Sequence, residues 1–140
     1  MADLEPLIRL RKFRVEEKQK ALAELFRQAE LLDGRKRVIL DELDYERNLA
    51  ETGGNIDALV AYASYSSRMA TEIDRLDGLL SKLDKRIERA QEEMREAFSE
   101  QKKAQIIQER REAEARAEQE VKENKNLDEI GIEVFRRSDK

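Results

Sequence analysis

The feature that most constrains this chain is a heptad seam that changes phase once, at "ETGGNID" (residues 51–57). Before the break, one core series reads Ile8, Val15, Leu22, Ala29, Lys36, Leu43, Ala50. The companion series reads Leu4, Arg11, Lys18, Leu25, Leu32, Ile39, Glu46. Ten of these fourteen positions are apolar, at alternating spacings of three and four, which is the pattern of a coiled-coil seam. After the break the series are Leu59, Ser66, Ile73, Leu80, Ile87, Met94, Gln101 and Tyr62, Met69, Leu76, Leu83, Ala90, Ala97, Ala104, with twelve of fourteen apolar. The second seam is offset by two residues from the first, and one straight helix does not jump phase. Gly53 and Gly54 supply backbone that can reverse. Asn55 can cap a second helix, with Asp57 in its positive first turn. The expected fold is therefore all-α, an antiparallel two-helix coiled-coil hairpin. Folding about residue 54 sets Leu4 opposite residue 104, where the second seam runs out. The two seams end together.

Asp3 is the expected N-cap of the first helix, and Pro6 falls in its first turn, where it is tolerated. Gly34, in "LLDGRK", weakens the helix without breaking it, since Leu32, Lys36 and Ile39 keep the register. The expected organisation is one unit over 1–140. A helix spans 4–51, a loop 52–55 and a longer second helix 56–126, with a terminal amphipathic segment at 127–137.

Composition agrees with a narrow seam rather than a broad core. Charged residues make up 43% of the chain and aromatics 5%, with five glycines and one proline. The formal charge is −4 with both signs interspersed, which does not favour nucleic acid. The chain has no cysteine and no histidine, and no glycine-rich phosphate loop. Carboxylates abound, but a thin hairpin offers no cavity in which to desolvate a pair of them. No enzyme, no cofactor and no metal site is expected. No apolar run is long enough to span a bilayer and no signal-peptide pattern opens the chain, so direct membrane insertion is not expected and a cytoplasmic location is.

Beyond Ala104 the second helix has no partner. From Gln105 to Asn126 the apolar residues are Ile106, Ile107, Val121 and several alanines, set among charges many of which lie three or four apart and support a solvated helix. Then comes "LDEIGIEVFRR" (127–137). Asn126 with Glu129 three residues on resembles a capping box, so this segment is either a new turn or the continuation of the long helix. Leu127, Ile130 and Val134 share a face that Phe135 extends and Ile132 lies off. That face has no partner within the hairpin, which points to another molecule.

Two further clusters stand out. "RLRKFR" gathers Arg9, Arg11, Lys12 and Arg14; it is either a solvated face beside the seam or a contact for an acidic partner surface. Tyr45, Tyr62 and Tyr65 are the three tyrosines, and folding about residue 54 brings them near the hairpin tip, bordered by Val38, Asp41 and Met69. They can pack there or be presented to a partner. Both readings fit if Tyr62 packs and Tyr65 is presented.

These pieces together resemble the FliJ family of flagellar export proteins, the central-stalk family of type III secretion. "LEPLIRLRKFRVEEKQKALAEL" looks like its amino-terminal helix, "LDYERNLA" and "REAFSEQKKAQIIQERR" are similar to its middle, and "LDEIGIEVFRR" resembles its carboxyl-terminal signature. The resemblance implies a non-enzymatic stalk that links a hexameric flagellar export ATPase to the export gate membrane protein and assists export chaperones. It would sit in the cytoplasm, peripheral to the flagellar basal body at the membrane. Carried onto this sequence, it implies that Leu4, Ile8, Arg9, Arg11, Lys12, Arg14, Leu127, Ile130, Val134, Phe135, Arg136 and Arg137 bind the ATPase ring. It implies that Val38, Asp41, Tyr45, Tyr65 and Met69 face the gate. Competing expectations are a structural coiled-coil scaffold or dimerisation module, an escort chaperone acting alone, and the equivalent stalk of a virulence type III secretion system.

Overall fold

A computed structural model describes residues 3–138. Two α-helices account for nearly all of them: α1 over Glu5–Gly53 and α2 over Ile56–Ser138. Local chemistry sets their ends. The Glu5 amide donates to Asp3 Oδ1 (3.1 Å), and the Asp57 amide donates to Asn55 Oδ1 (3.0 Å). Each side chain thus satisfies one of the amides that a helix start leaves without an intrahelical partner. The Leu59 amide meanwhile closes the first helical bond on the Asn55 carbonyl (3.2 Å). Between the helices Gly54 takes φ 60°, the left-handed conformation that ends a helix at low cost only for a residue without a β-carbon. At the far end, Arg136 and Arg137 lie in the last turn of α2, where the helix dipole favours positive charge.

The chain is an all-α helical hairpin with a longer second helix. It divides into two compact units, each containing part of both helices. The unit Val15–Glu96 holds the hairpin turn and most of the seam. Its core is Leu22 and Leu25 against Leu83 and Ile87, with Ala29, Leu32, Ala90 and Met94 packed around them. Each large aliphatic side chain removed from water there contributes about 1.5–3 kcal/mol. Leu76 is fully enclosed, at 0% exposure. The antiparallel register is visible in cross-hairpin ion pairs: Lys18 Nζ to Glu93 Oε2 (3.0 Å), Arg35 Nη2 to Glu72 Oε1 (3.5 Å) and Lys36 Nζ to Asp77 Oδ1 (2.7 Å). No buried polar or charged side chain occurs among the described residues.

The heptad positions are the ones that pack. Of those in α1, Glu46 alone is exposed; of those in α2, Leu59 alone is. Both flank the hairpin turn, where the seam is loosest. Lys36 and Lys18 keep their heptad places half-buried by laying their stems along the seam and sending their ammonium groups to carboxylates on α2.

The other unit joins the chain up to Arg14 with the chain from Ala97 onward. Leu4, Ile8 and Arg11 are half-buried in it and Ala104 is 4% exposed, so the first turns of α1 lie along α2 at this level. Gln108 is the last half-buried residue. Every described residue from Glu109 to Ser138 is exposed, and α2 runs through them unbroken. The helix passes Asn126 without a new start, so the 127–137 segment continues α2.

Candidate functional site

The side chains that the sequence singles out fall into separate groups among the described residues. The first is at the hairpin turn. Tyr65 lies half-buried, and its hydroxyl donates to Glu42 Oε2 (3.3 Å) across the hairpin. Its phenol is pushed above the usual tyrosine range, first by burial and then by the neighbouring Glu42 carboxylate. Tyr62, Tyr65 and Tyr45 line an open cleft of ≈ 700 Å³ together with Glu42, Glu46, Leu49, Ala50, Ala58 and Ala61. The cleft has a local cause. Glu46 occupies a heptad position and turns outward, while Ala50, Ala58 and Ala61 are too small to fill the space between the helices.

Of the residues assigned to this end by sequence, Tyr45 is 63% exposed, and Val38 and Asp41 are also exposed. Met69 is half-buried beside the seam. Tyr65 is held by Glu42 and shares the cleft wall with Tyr62, so the freely presented ring here is Tyr45. Glu42 had no part in the sequence reading. Its pairing with Tyr65 follows from folding the chain back about residue 54, and that geometry alone could have found it.

The second group lies on α2 beyond the seam. Leu127, Ile130, Ile132, Val134 and Phe135 are all more than half exposed, with Phe135 at 68%. Leu127, Ile132 and Phe135 surround a shallow cleft with Asp128 and Gly131. Ile132, placed off the apolar face by spacing, therefore borders the same surface as Phe135. At 3.6 residues per turn, the five apolar side chains spread over about 200° of the helix circumference, with Asp128 and Gly131 among them. Arg136 and Arg137 follow, with Arg137 Nη2 3.2 Å from Glu133 Oε1.

The basic residues near the start of α1 belong to the same unit as this segment but not to the same patch. Arg9, Lys12 and Arg14 are exposed, and Arg9 Nε lies 3.9 Å from Glu5 Oε1. Arg11 keeps a half-buried heptad place beside Leu4 and Ile8. At a rise of ~1.5 Å per residue, Leu127 lies about 35 Å along α2 from Ala104, the level at which α1 begins. The structure thus keeps the amino-terminal group and the carboxyl-terminal group at two separate levels.

Among the described residues, no group of three or more His, Cys, Asp or Glu side chains is arranged to hold a metal ion. No helix among them is long and apolar enough to cross a membrane. What both surfaces provide is shape, apolar area and charge, the means of recognising another macromolecule.

Searches of curated proteins and of solved structures return no match to the chain. The family model described as "Flagellar FliJ protein" matches residues 1–140. The match runs through the heptad seams, the turn and the apolar end of α2 alike, and the chain belongs to the flagellar FliJ family.

Proposed function

We propose that this protein is a non-enzymatic coupling stalk of flagellar type III export, joining a hexameric export ATPase to the export gate membrane protein and assisting the handling of export chaperones. Family membership supports the flagellar export role. The observation that carries the stalk reading is the bare overhang: α2 continues from Glu109 to Ser138 with every residue exposed, and it ends in an apolar stretch. A solvated charged rod keeps that end away from the packed seam. The end then offers Leu127, Ile130, Val134 and Phe135 to a partner, with Arg136 and Arg137 available to acidic groups beside them.

A ring lumen is the kind of surface this suits. It surrounds a single helix, and the apolar side chains of the tail spread over about 200° of its circumference. The amino-terminal group, Leu4 and Ile8 with Arg9, Arg11, Lys12 and Arg14, would meet the ring at a second level, where the helix pair begins. Val38, Asp41, Tyr45, Tyr65 and Met69 would serve the gate. The protein would work on the cytoplasmic side, peripheral to the basal body.

The test is a chain ending at Asn126. Its hairpin should fold, since every buried residue lies at or before Ala104. Circular dichroism should show the same melting temperature as the full chain. Binding to the purified export ATPase should fall by at least about a hundredfold if the four apolar side chains act as an anchor. Undiminished ATPase binding by the truncated chain would defeat the proposal. A scaffold built on self-association would instead show a dimer by sedimentation that the truncation converts to monomer.

A further inference from the structure

We infer that the hairpin contains a built-in bending joint, formed by Gly34 of α1 and Gly78 of α2, about which the two halves of the Val15–Glu96 unit flex. Both glycines lie inside helices, where glycine is the least favourable residue after proline. Neither is there for lack of room. A β-carbon at either position would meet no atom within 4 Å, and neither residue takes the left-handed conformation that would require glycine. Packing and backbone geometry would therefore accept alanine at both. What glycine supplies there is a helix whose backbone bends more easily.

The two glycines lie at one level of the hairpin. Lys36 is bonded to Asp77 across the seam at 2.7 Å. Gly34 is two residues before Lys36 and Gly78 one residue after Asp77, so in an antiparallel pair they stand across from each other within one helical turn. A single soft point in one helix would be splinted by its partner. Two at the same level remove the splint. The seam also carries a charged side chain here, because Lys36 takes a heptad place between Leu32 and Ile39.

One feature of the level resists separation. Leu76 has no exposed surface and lies two residues from Gly78. It holds the helices together while the glycines let them curve, so the motion is a bend with Leu76 as its pivot and not a splitting of the pair. The cross-hairpin pair Lys36–Asp77 and the cluster of Arg35 and Arg75 on Glu72 are exposed enough to shorten and lengthen as the helices curve.

The absence of cysteine makes a direct measurement possible. Spin labels on the exposed positions Lys20→Cys and Asn48→Cys of α1 bracket Gly34 and, for a straight helix, stand about 40 Å apart along its axis. The bending joint predicts a broad distance distribution with a shoulder shorter than the straight-helix value. In the background of Gly34→Ala with Gly78→Ala the distribution should narrow to the single longer distance. Amide hydrogen exchange at residues 30–38 and 74–82 should slow by about fivefold per replaced glycine in the same variant. The alanine variant is expected to fold, because the added β-carbons meet nothing. A distribution already narrow with the glycines in place would overturn the joint, and so would a broad one that both alanines leave unchanged.

Discussion

Lys36 Nζ lies 2.7 Å from Asp77 Oδ1, an ion pair across the hairpin at a position where the heptad of α1 otherwise carries apolar side chains. A lysine in a seam favours one register over its neighbours, because only the register that offers a carboxylate satisfies it. The hydrogen bond and charge of Asp77 raise the lysine's pKa above its ordinary value, so it stays charged through the neutral range. A raised folded-state pKa means that its stabilising effect is complete below the unfolded value and is lost as pH rises through the folded one.

Lys36→Leu should therefore raise the melting temperature at pH 7, by about 3 °C for a hairpin of this size, since an apolar side chain between Leu32 and Ile39 completes the seam. It should also abolish the part of the alkaline destabilisation that Asp77 and Lys36 share. Thermal melts of parent and variant at pH 7 and pH 11 check both outcomes. Equal melting temperatures at pH 7 would mean that the lysine stem already covers the seam as well as leucine does.

The core gives a ranking. Leu76 is fully enclosed, whereas Leu80, one turn on in the companion series, is half-buried. Leu76→Ala should cost about 3 kcal/mol through lost transfer energy and the space left behind, and Leu80→Ala about half of that. Chemical denaturation with a common slope would show the order. A reversed order would place the enclosing contacts around Leu80.

The heptad spacing made the seam readable because burial in a two-helix hairpin depends on little else. Lys18, Lys36 and Arg11 hold their heptad places for the same reason: the backbone puts their stems at the interface whatever their tips carry. The caps Asp3 and Asn55 were legible because each acts on amides two residues away. Legibility stops where a side chain answers to something distant or to nothing. Tyr65 turns toward Glu42, which is 23 residues away in sequence, and spacing along α2 carries no word of it. Asn126 has the chemistry of a cap, yet its neighbours all tolerate a helix, and α2 passes through it. Ile132 had no fixed side because an unpaired helix has no seam to define one.

Acid should expose a different set of contacts. The Arg27 guanidinium, hydrogen-bonded to Glu24 with Nε 2.9 Å from Oε2 and joined there by the Gln28 amide, pulls the Glu24 carboxyl down to about 2. Glu72 is likewise held below the usual range, first by its hydrogen bond from Arg75. Both are depressed, so the contribution of each is present above the ordinary carboxylate range and is lost as pH falls through its folded-state value, which for Glu24 is about 2. Solvent screens both sites, and the effect of each is small. Melts at pH 7 and pH 2 should show a lower melting temperature for Glu24→Gln than for the parent at pH 7, and none at pH 2. A difference persisting at pH 2 would mean that the glutamine acts through helix propensity rather than charge.

The two tyrosines at the turn should separate binding from folding. Tyr45 is 63% exposed, so Tyr45→Ala removes a presented ring without disturbing the seam. Tyr65 is packed against the cleft and bonded to Glu42, so Tyr65→Ala removes a ring that also braces the turn. If the turn serves the export gate, Tyr45→Ala should weaken binding to the gate's soluble domain by about thirtyfold with an unchanged melt, the loss typical of an aromatic anchor. Tyr65→Ala should weaken binding and lower the melting temperature together, and Tyr65→Phe should separate the two by losing the bond to Glu42 while keeping the ring. Titration calorimetry and thermal melts on the three variants give both readouts. Full gate binding by Tyr45→Ala would move the contact off this face. Full binding by both alanine variants would remove the turn from the gate interface altogether.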